Sequence, residues 1–284
     1  MLGSIELGGT KIICAVGYED KIIERQRFDT KNPLDNIKEI QEFFKDRDVT
    51  SIGIGMFGPI DVDKDSKTYG YVLKTPKLKW QNFDFLGNLK KHLDAKMYFT
   101  TDVNEAAMGE YELGAGIGKK SLLYLTIGTG IGGGMIYNGE ILQGVTHPEM
   151  GHIEVTREEG DDVKSNCAFH ENCLEGLSNG PSIEKRTNKK GEDLDKDDKV
   201  FDLVSKYIAK ALITYTLILR PEVIVLGGGV INKDGVIEKI RKHFVKLKTD
   251  YFDIDDVDSY IVKPKLSNNS GIIGGFVLAN KLEK

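Results

Sequence analysis

Two thiols and an imidazole are evenly spaced in Cys167-Ala-Phe-His170-Glu-Asn-Cys173, and a second imidazole, His152, lies upstream. Four S and N donors of this kind are what tetrahedral zinc prefers, and a site with four protein ligands is closed and structural. Two small buried cysteines could be explained by packing alone, but packing gives no reason for His170 midway between them. Only three cysteines occur in 284 residues, which suits a reducing compartment, so the clustering of Cys167 and Cys173 needs its own cause. A zinc ion held by His152, Cys167, His170 and Cys173 supplies it and leaves the chemistry to other residues.

Phosphate chemistry is suggested by glycines. Gly8-Gly9-Thr10-Lys11 and Gly128-Thr129-Gly130 are tight turns whose backbone N–H groups, unobstructed by Cβ atoms, could cradle phosphate oxygens. Gly227-Gly228-Gly229 follows the apolar run VIVL, at a strand end where open α/β sheets place ligands. Gly128, Gly130 and Gly133 also satisfy GxGxxG, but that dinucleotide motif requires a following helix. Here Met135-Ile136-Tyr137-Asn138-Gly139 follows, a strand and a hairpin turn, and the Walker pattern is absent.

Asp102, in TTDVNEAAMGE, admits two readings. It could cap the helix that follows, with Glu105 completing a capping box. Alternatively, it stands at a strand end as a general base, accepting the proton of a hydroxyl during phosphoryl transfer.

Elements must hold these groups, and their pattern is α/β. Ile5–Val16 and Leu125–Tyr137 share one plan: a β-type run, a glycine turn and a second β-type run, as duplicated units would. Strands are expected at Ile22-Ile23, 51–58, 97–100, 152–155 and 223–230. Helices are expected at 33–46, 83–94, 104–113, 198–219, 234–247 and 271–282. The alternation implies two lobes of mixed sheet: 1–103, completed by the C-terminal helix 271–284, and 104–270, with hinges near 102–120 and 270. Against about 150 residues per domain, the length allows one large domain or two ordinary ones.

Thirty-nine Lys+Arg against 44 Asp+Glu leave a formal charge of -5, too little positive charge for a nucleic-acid partner. Residues 192–198 and 250–258 are acidic runs that read as solvated surface. The segment 208–219 is interrupted by Lys210, Thr214 and Thr216 and is too short for a membrane span, and no secretory signal opens the chain, so a cytoplasmic protein is expected.

The combined motifs resemble the ROK sugar kinases of the actin/hexokinase-like superfamily, and within them most closely the bacterial fructokinase branch. The resemblance runs almost end to end, through IELGGTK, TDVNEAAMGE, LTIGTGIGGG, PEMGH, the Cys/His loop and VIVLGGGV. It implies a two-lobed, duplicated ribonuclease-H-like fold with a zinc-stabilised loop. ATP would be held by Gly8, Gly9, Thr10, Lys11, Gly128, Thr129, Gly130, Pro181, Gly227, Gly228 and Gly229, between the lobes and with Mg²⁺. Asp102 would be the catalytic base. Glu149, His152 and Glu175 would hold sugar hydroxyls alongside Asp102, His152 also binding zinc. A homodimer is implied as well.

Three departures stand out. Glu6 replaces the usual Asp and would shift any contact to magnesium by a methylene, Thr101 replaces the usual Asn, and His170 stands in a loop that usually carries three cysteines. The expected activity is ATP-dependent phosphorylation of D-fructose. The alternatives are another hexose (mannose, glucose or an N-acetylhexosamine) or a catalytically idle sugar-binding module. The family's repressors carry a DNA-reading module ahead of the first strand, which this sequence does not show.

Overall fold

The computed structural model describes residues 1–75 and 77–284. β1 (Leu2–Leu7) and β2 (Lys11–Tyr18) are antiparallel about the first glycine turn, and β3 (Lys21–Asp29) pairs with β2. Asn32 caps α1 (Pro33–Phe44) by accepting the Asp35 N–H, and Pro33 takes the first turn, where its missing N–H costs nothing. β4 (Ser51–Met56) is buried on both faces and lies parallel between β1 and β5 (Lys96–Thr101), giving the order β3-β2-β1-β4-β5. α2 (Phe85–Lys90), shorter than the expected 83–94, brings Phe85 beside Trp80 in the core. α3 (Asp102–Leu113) then leaves the end of β5.

The second half repeats the plan. β6 (Ser121–Ile127) and β7 (Ile131–Tyr137) flank the second glycine turn, and β8 (Glu140–Ile141) returns through Asn138 and Gly139 at φ 50° and 81°, the pairing a type I′ hairpin needs. Next come α4 (Leu174–Ser178), α5 (Gly180–Thr187) and the long α6 (Lys199–Leu219), whose capping residue is Asp198. β9 (Ile224–Gly227), α7 (Gly229–Asn232), α8 (Val236–Lys248), α9 (Val257–Tyr260), β10 (Ile261–Val262) and α10 (Ser270–Lys281) complete the chain. The second sheet has the order β10-β9-β6-β7-β8, with β6, β9 and β10 parallel. It is the first sheet's topology repeated, which is the duplication the two glycine hairpins imply.

Two compact units result: 1–118 with 134–148 and 265–284, and 119–133 with 149–264. The sequence pattern puts the boundary at residue 103, whereas α3 and residues 134–148 group with the first unit. The strand expected at 152–155 is instead a 3₁₀ turn, Met150–His152, with one bridge from Glu154 to Cys173. Gly151 lies so close to the Ile131 carbonyl that an added Cβ would sit 1.9 Å from it, and this packing takes the place of a ladder. No helix among the described residues is long and apolar enough to cross a membrane.

α10 explains why α3 belongs to the first unit. A Cβ on Gly274 would lie 1.7 Å from the Glu105 carbonyl, and one on Gly53 would lie 2.1 Å from the Gly275 carbonyl. Backbone therefore touches backbone from α3 to α10 and from α10 to β4, an approach only glycine permits. Thr101, rather than Asp102, caps α3 by accepting the Asn104 N–H at 3.2 Å, and Asp102 is the first helical residue. Glu105 does not complete a capping box. It is fully buried with one carboxyl oxygen 3.5 Å from the Ser4 hydroxyl, and its other oxygen has no partner among the described residues. Burial raises this carboxyl well above the usual range, and the charges of Glu6 and Asp102 raise it further.

The folded chain therefore gives up the Glu105 proton at a higher pH than the unfolded chain, which releases it above about pH 4.3. The contribution of Glu105 to stability is full below that pH and falls as pH rises toward its folded value, by up to about 1.4 kcal/mol per pH unit. Glu105→Gln mimics the neutral acid and escapes this loss, so its thermal midpoint should exceed that of the parent by a margin that widens from pH 5 to pH 8. A margin that stays constant between the two pH values would show that Glu105 is ionised in the fold.

Candidate active site and metal centre

The metal-type ligands come together in the second unit. One donor atom from each of His152, Cys167, His170 and Cys173 can be chosen so that all four lie within 4.8 Å of one another. The Cys167 sulfur is 3.8 Å from His152 Nδ1 and 3.6 Å from His170 Nδ1. A tetrahedron with metal–ligand bonds of about 2.0–2.3 Å has edges of about 3.3–3.8 Å, so this donor set fits a tetrahedral ion such as zinc. Backbone N–H groups already point at the sulfurs, from Phe169 to Cys167 at 3.5 Å and from Gly176 to Cys173 at 3.4 Å. They stabilise thiolate charge. Burial, reinforced by the neighbouring Cys167 thiol, pushes the Cys173 thiol up to about 11, a rise that a bound dication reverses.

Immediately after Cys173 the chain turns to hold the second glycine turn. One Glu175 oxygen accepts the Ile131 N–H at 2.9 Å, the Asn179 side-chain amide donates to the Thr129 carbonyl at 2.9 Å, and the Gly180 N–H donates to the Gly128 carbonyl at 2.7 Å. The other Glu175 oxygen lies 4.0 Å from His152 Nε2. Glu175, expected at the sugar, thus also anchors the turn. Asn179 is absent from the residues that sequence reasoning singles out, although Asn-Gly-Pro before a helix is a capping signal that could have exposed it.

Beside this turn lies a cavity of about 860 Å³, within the range of small-molecule sites. Gly128, Thr129, Pro181 and Gly229 line it, as do Ile183, Lys190, Phe201 and Lys233. Lys233 is committed to the cavity's own wall: its ammonium donates to the Glu192 carbonyl at 3.4 Å and to the Leu194 carbonyl, 5.7 Å from the centre of the Phe201 ring. Gly227 and Gly228 are not part of the lining. Gly228, at φ 93°, packs against the Ile127 backbone and makes the bend that presents Gly229.

The first unit carries the other predicted groups. The Gly8 N–H closes its turn on the Lys11 carbonyl at 2.9 Å, and the Thr30 hydroxyl donates to the Gly8 carbonyl at 2.9 Å. Burial raises the Glu6 carboxyl against the opposing charge of Lys11. Asp102, half-buried at the carboxyl end of β5, accepts the Val103 N–H at 2.9 Å through one oxygen. In the second unit, Glu149 precedes the 3₁₀ turn and its carbonyl accepts the His152 N–H.

A repeated five-stranded mixed sheet with a glycine hairpin in each half is the frame of the actin/hexokinase-like fold. The ROK family profile matches residues 2–282, and the chain belongs to that family. A fructokinase of Lactococcus lactis subsp. cremoris is 46% identical, over 99% of this chain and 97% of its own length. One from Pediococcus pentosaceus is 44% identical, over 98% and 97%. Among solved structures, the ROK hexokinase of Thermus thermophilus superposes with a TM-score of 0.82 at 24% identity, covering 99% of this chain and 98% of that one. That likeness establishes the two-lobed fold.

Cys167 offers the sulfur that faces both histidine rings. Native mass spectrometry should find about one zinc per parent chain and less than about 0.1 in Cys167→Ser, since the loss of a thiolate removes one of four ligands. Full zinc content in the variant would contradict the ligand set.

Proposed function

We propose that this chain is an ATP-dependent fructokinase that transfers the γ-phosphoryl group of Mg·ATP to the 6-hydroxyl of D-fructose. The observation that carries the reading is the likeness at 44–46% identity, along essentially the whole chain, to relatives named fructokinase. The hexokinase likeness, at 24% identity, bears on the fold and does not favour a different sugar.

In this reading the hydroxyl oxygen of the sugar attacks the γ-phosphorus in line. Its proton passes to the Asp102 carboxylate, and ADP leaves. The Gly8 and Gly128 N–H groups close their own turns on the Lys11 and Gly130 carbonyls, and the N–H groups of Gly9 and Thr10 and of Thr129 and Gly130 offer hydrogen bonds to phosphate oxygens, which they can do without any cationic side chain. The cavity beside Gly128, with Pro181, Phe201 and Gly229, suits the nucleoside part. Magnesium would supply charge neutralisation between the β and γ phosphates.

Glu149, His152 and Glu175 hold sugar hydroxyls. For Glu175 the oxygen left for this is the one nearer His152, because the other is engaged by Ile131. Zinc on the Cys/His cluster would be structural, held by His152, Cys167, His170 and Cys173, and would fix the His152 ring, whose Nδ1 faces Cys167 and whose Nε2 faces Glu175. The working form is a cytoplasmic homodimer.

The test is ADP release from Mg·ATP with D-fructose, D-mannose, D-glucose and N-acetylglucosamine in parallel. Fructose should give the highest kcat/KM. Strong turnover with another hexose in its place would retain the mechanism and overturn the substrate. Asp102→Asn should fold normally and bind fructose, yet lose about 10²-fold or more in kcat. Near-parental turnover would remove Asp102 from the role of base.

A further inference from the structure

The grip of α4 and α5 on the second glycine turn does more than hold it in place. A trans peptide is planar, and its N–H points opposite to its C=O. The Gly128 carbonyl is held by the Gly180 N–H and the Thr129 carbonyl by the Asn179 amide. The N–H groups of the same two peptides, those of Thr129 and Gly130, must then point away from α4 and α5. They are two donors the turn can present to an anion.

Among the described residues, Asn179 is the side chain bonded to the second of these planes. It is 2% exposed, so water cannot replace it. Both ends of its amide are used: Oδ1 accepts the Ser182 N–H at 2.9 Å and caps α5, while Nδ2 donates to the Thr129 carbonyl. Gly130 cannot compensate. An added Cβ there would crowd the Glu175 carboxylate at 2.9 Å, and glycine is the residue freest to let its peptide rotate.

We infer that Asn179 is a positioning residue for nucleotide binding: it fixes the Thr129–Gly130 peptide so that the Gly130 N–H faces the phosphates of ATP. This rests on the reading of Gly128–Gly130 as a phosphate turn.

Two variants of the full chain separate this role from capping. Asn179→Asp keeps the cap but sets an oxygen against the Thr129 carbonyl, which drives that peptide to turn over. Asn179→Ser also keeps a competent cap, and its shorter side chain does not reach the Thr129 carbonyl. Titration calorimetry with Mg·AMP-PNP should show the dissociation constant raised about 10-fold in Asn179→Asp and by a smaller factor in Asn179→Ser. KM for ATP should follow, with KM for fructose within twofold and thermal midpoints near the parent's. Unchanged nucleotide binding in both variants overturns the inference while leaving the kinase reading intact. A joint rise of both KM values with a fall in midpoint overturns it too, since that marks a merely structural residue. If the parent protein does not bind Mg·AMP-PNP, the kinase reading fails and this inference fails with it.

Discussion

Backbone contact between α10 and its neighbours is the constraint from which the first unit follows. Where Gly274 meets the Glu105 carbonyl and Gly53 meets the Gly275 carbonyl, no side chain intervenes, so small changes in helix position have nothing soft to absorb them. The C-terminal helix is thereby locked onto a sheet built from the first hundred residues, and α3 is locked onto that helix. Asp102 inherits its place from this arrangement. It is the first residue of a helix that cannot slide, at the end of the edge strand β5, whose last three residues are buried. A general base, the role proposed for Asp102, needs this kind of fixed origin more than it needs an unusual acidity.

In the second unit the rigid element is a loop. Few apolar side chains are available in 160–172 to hold an irregular segment together, and the four S and N donors supply the convergence that a core would otherwise provide. Cys173 is at once a ligand candidate and the residue that caps α4, its sulfur accepting the Gly176 N–H. Six residues further on, Asn179 caps α5. The metal centre, the two short helices and the glycine turn therefore form one continuous stretch of covalent chain and hydrogen bonds. Glu175 sits at its middle, facing His152 on one side and the Ile131 N–H on the other.

Local chemistry is what a sequence displays openly. The hairpins announce themselves through Gly8-Gly9 and Asn138-Gly139, α1 through Pro33, α6 through its long apolar period, and the metal set through spacing alone. The departures share a cause, which is tertiary contact overriding a locally sensible choice. Asp102 and Glu105 have the spacing of a good capping box, but Thr101 takes the cap, and the demand of α10 for close approach leaves Glu105 buried against Ser4. Residues 152–155 alternate like a strand, but their pairing with 172–174 stops at the single bridge from Glu154 to Cys173. A boundary at residue 103 leaves out of account the glycines at 109 and 274, whose meaning lies in what they touch across the fold. Glu175 and Asn179 are invisible in sequence as holders of the turn because their partners are backbone atoms more than forty residues away.

Reliance on backbone also explains how far this architecture tolerates sequence change. A carbonyl or an N–H is present whatever the side chain, so a site that binds phosphates through peptide groups requires only that certain positions stay small and that certain neighbours aim the peptides. Most of the chain is then free to drift while the fold persists, which is why a structure sharing a quarter of the residues can superpose over nearly the full length. Sugar choice has no such protection. In the proposed reading it depends on a handful of hydroxyl contacts from side chains such as Glu149, His152 and Glu175, where a single exchange leaves a sugar hydroxyl without its partner. The fold is therefore the part that survives sequence change, whereas the identity of a sugar acceptor depends on a much smaller set of side chains.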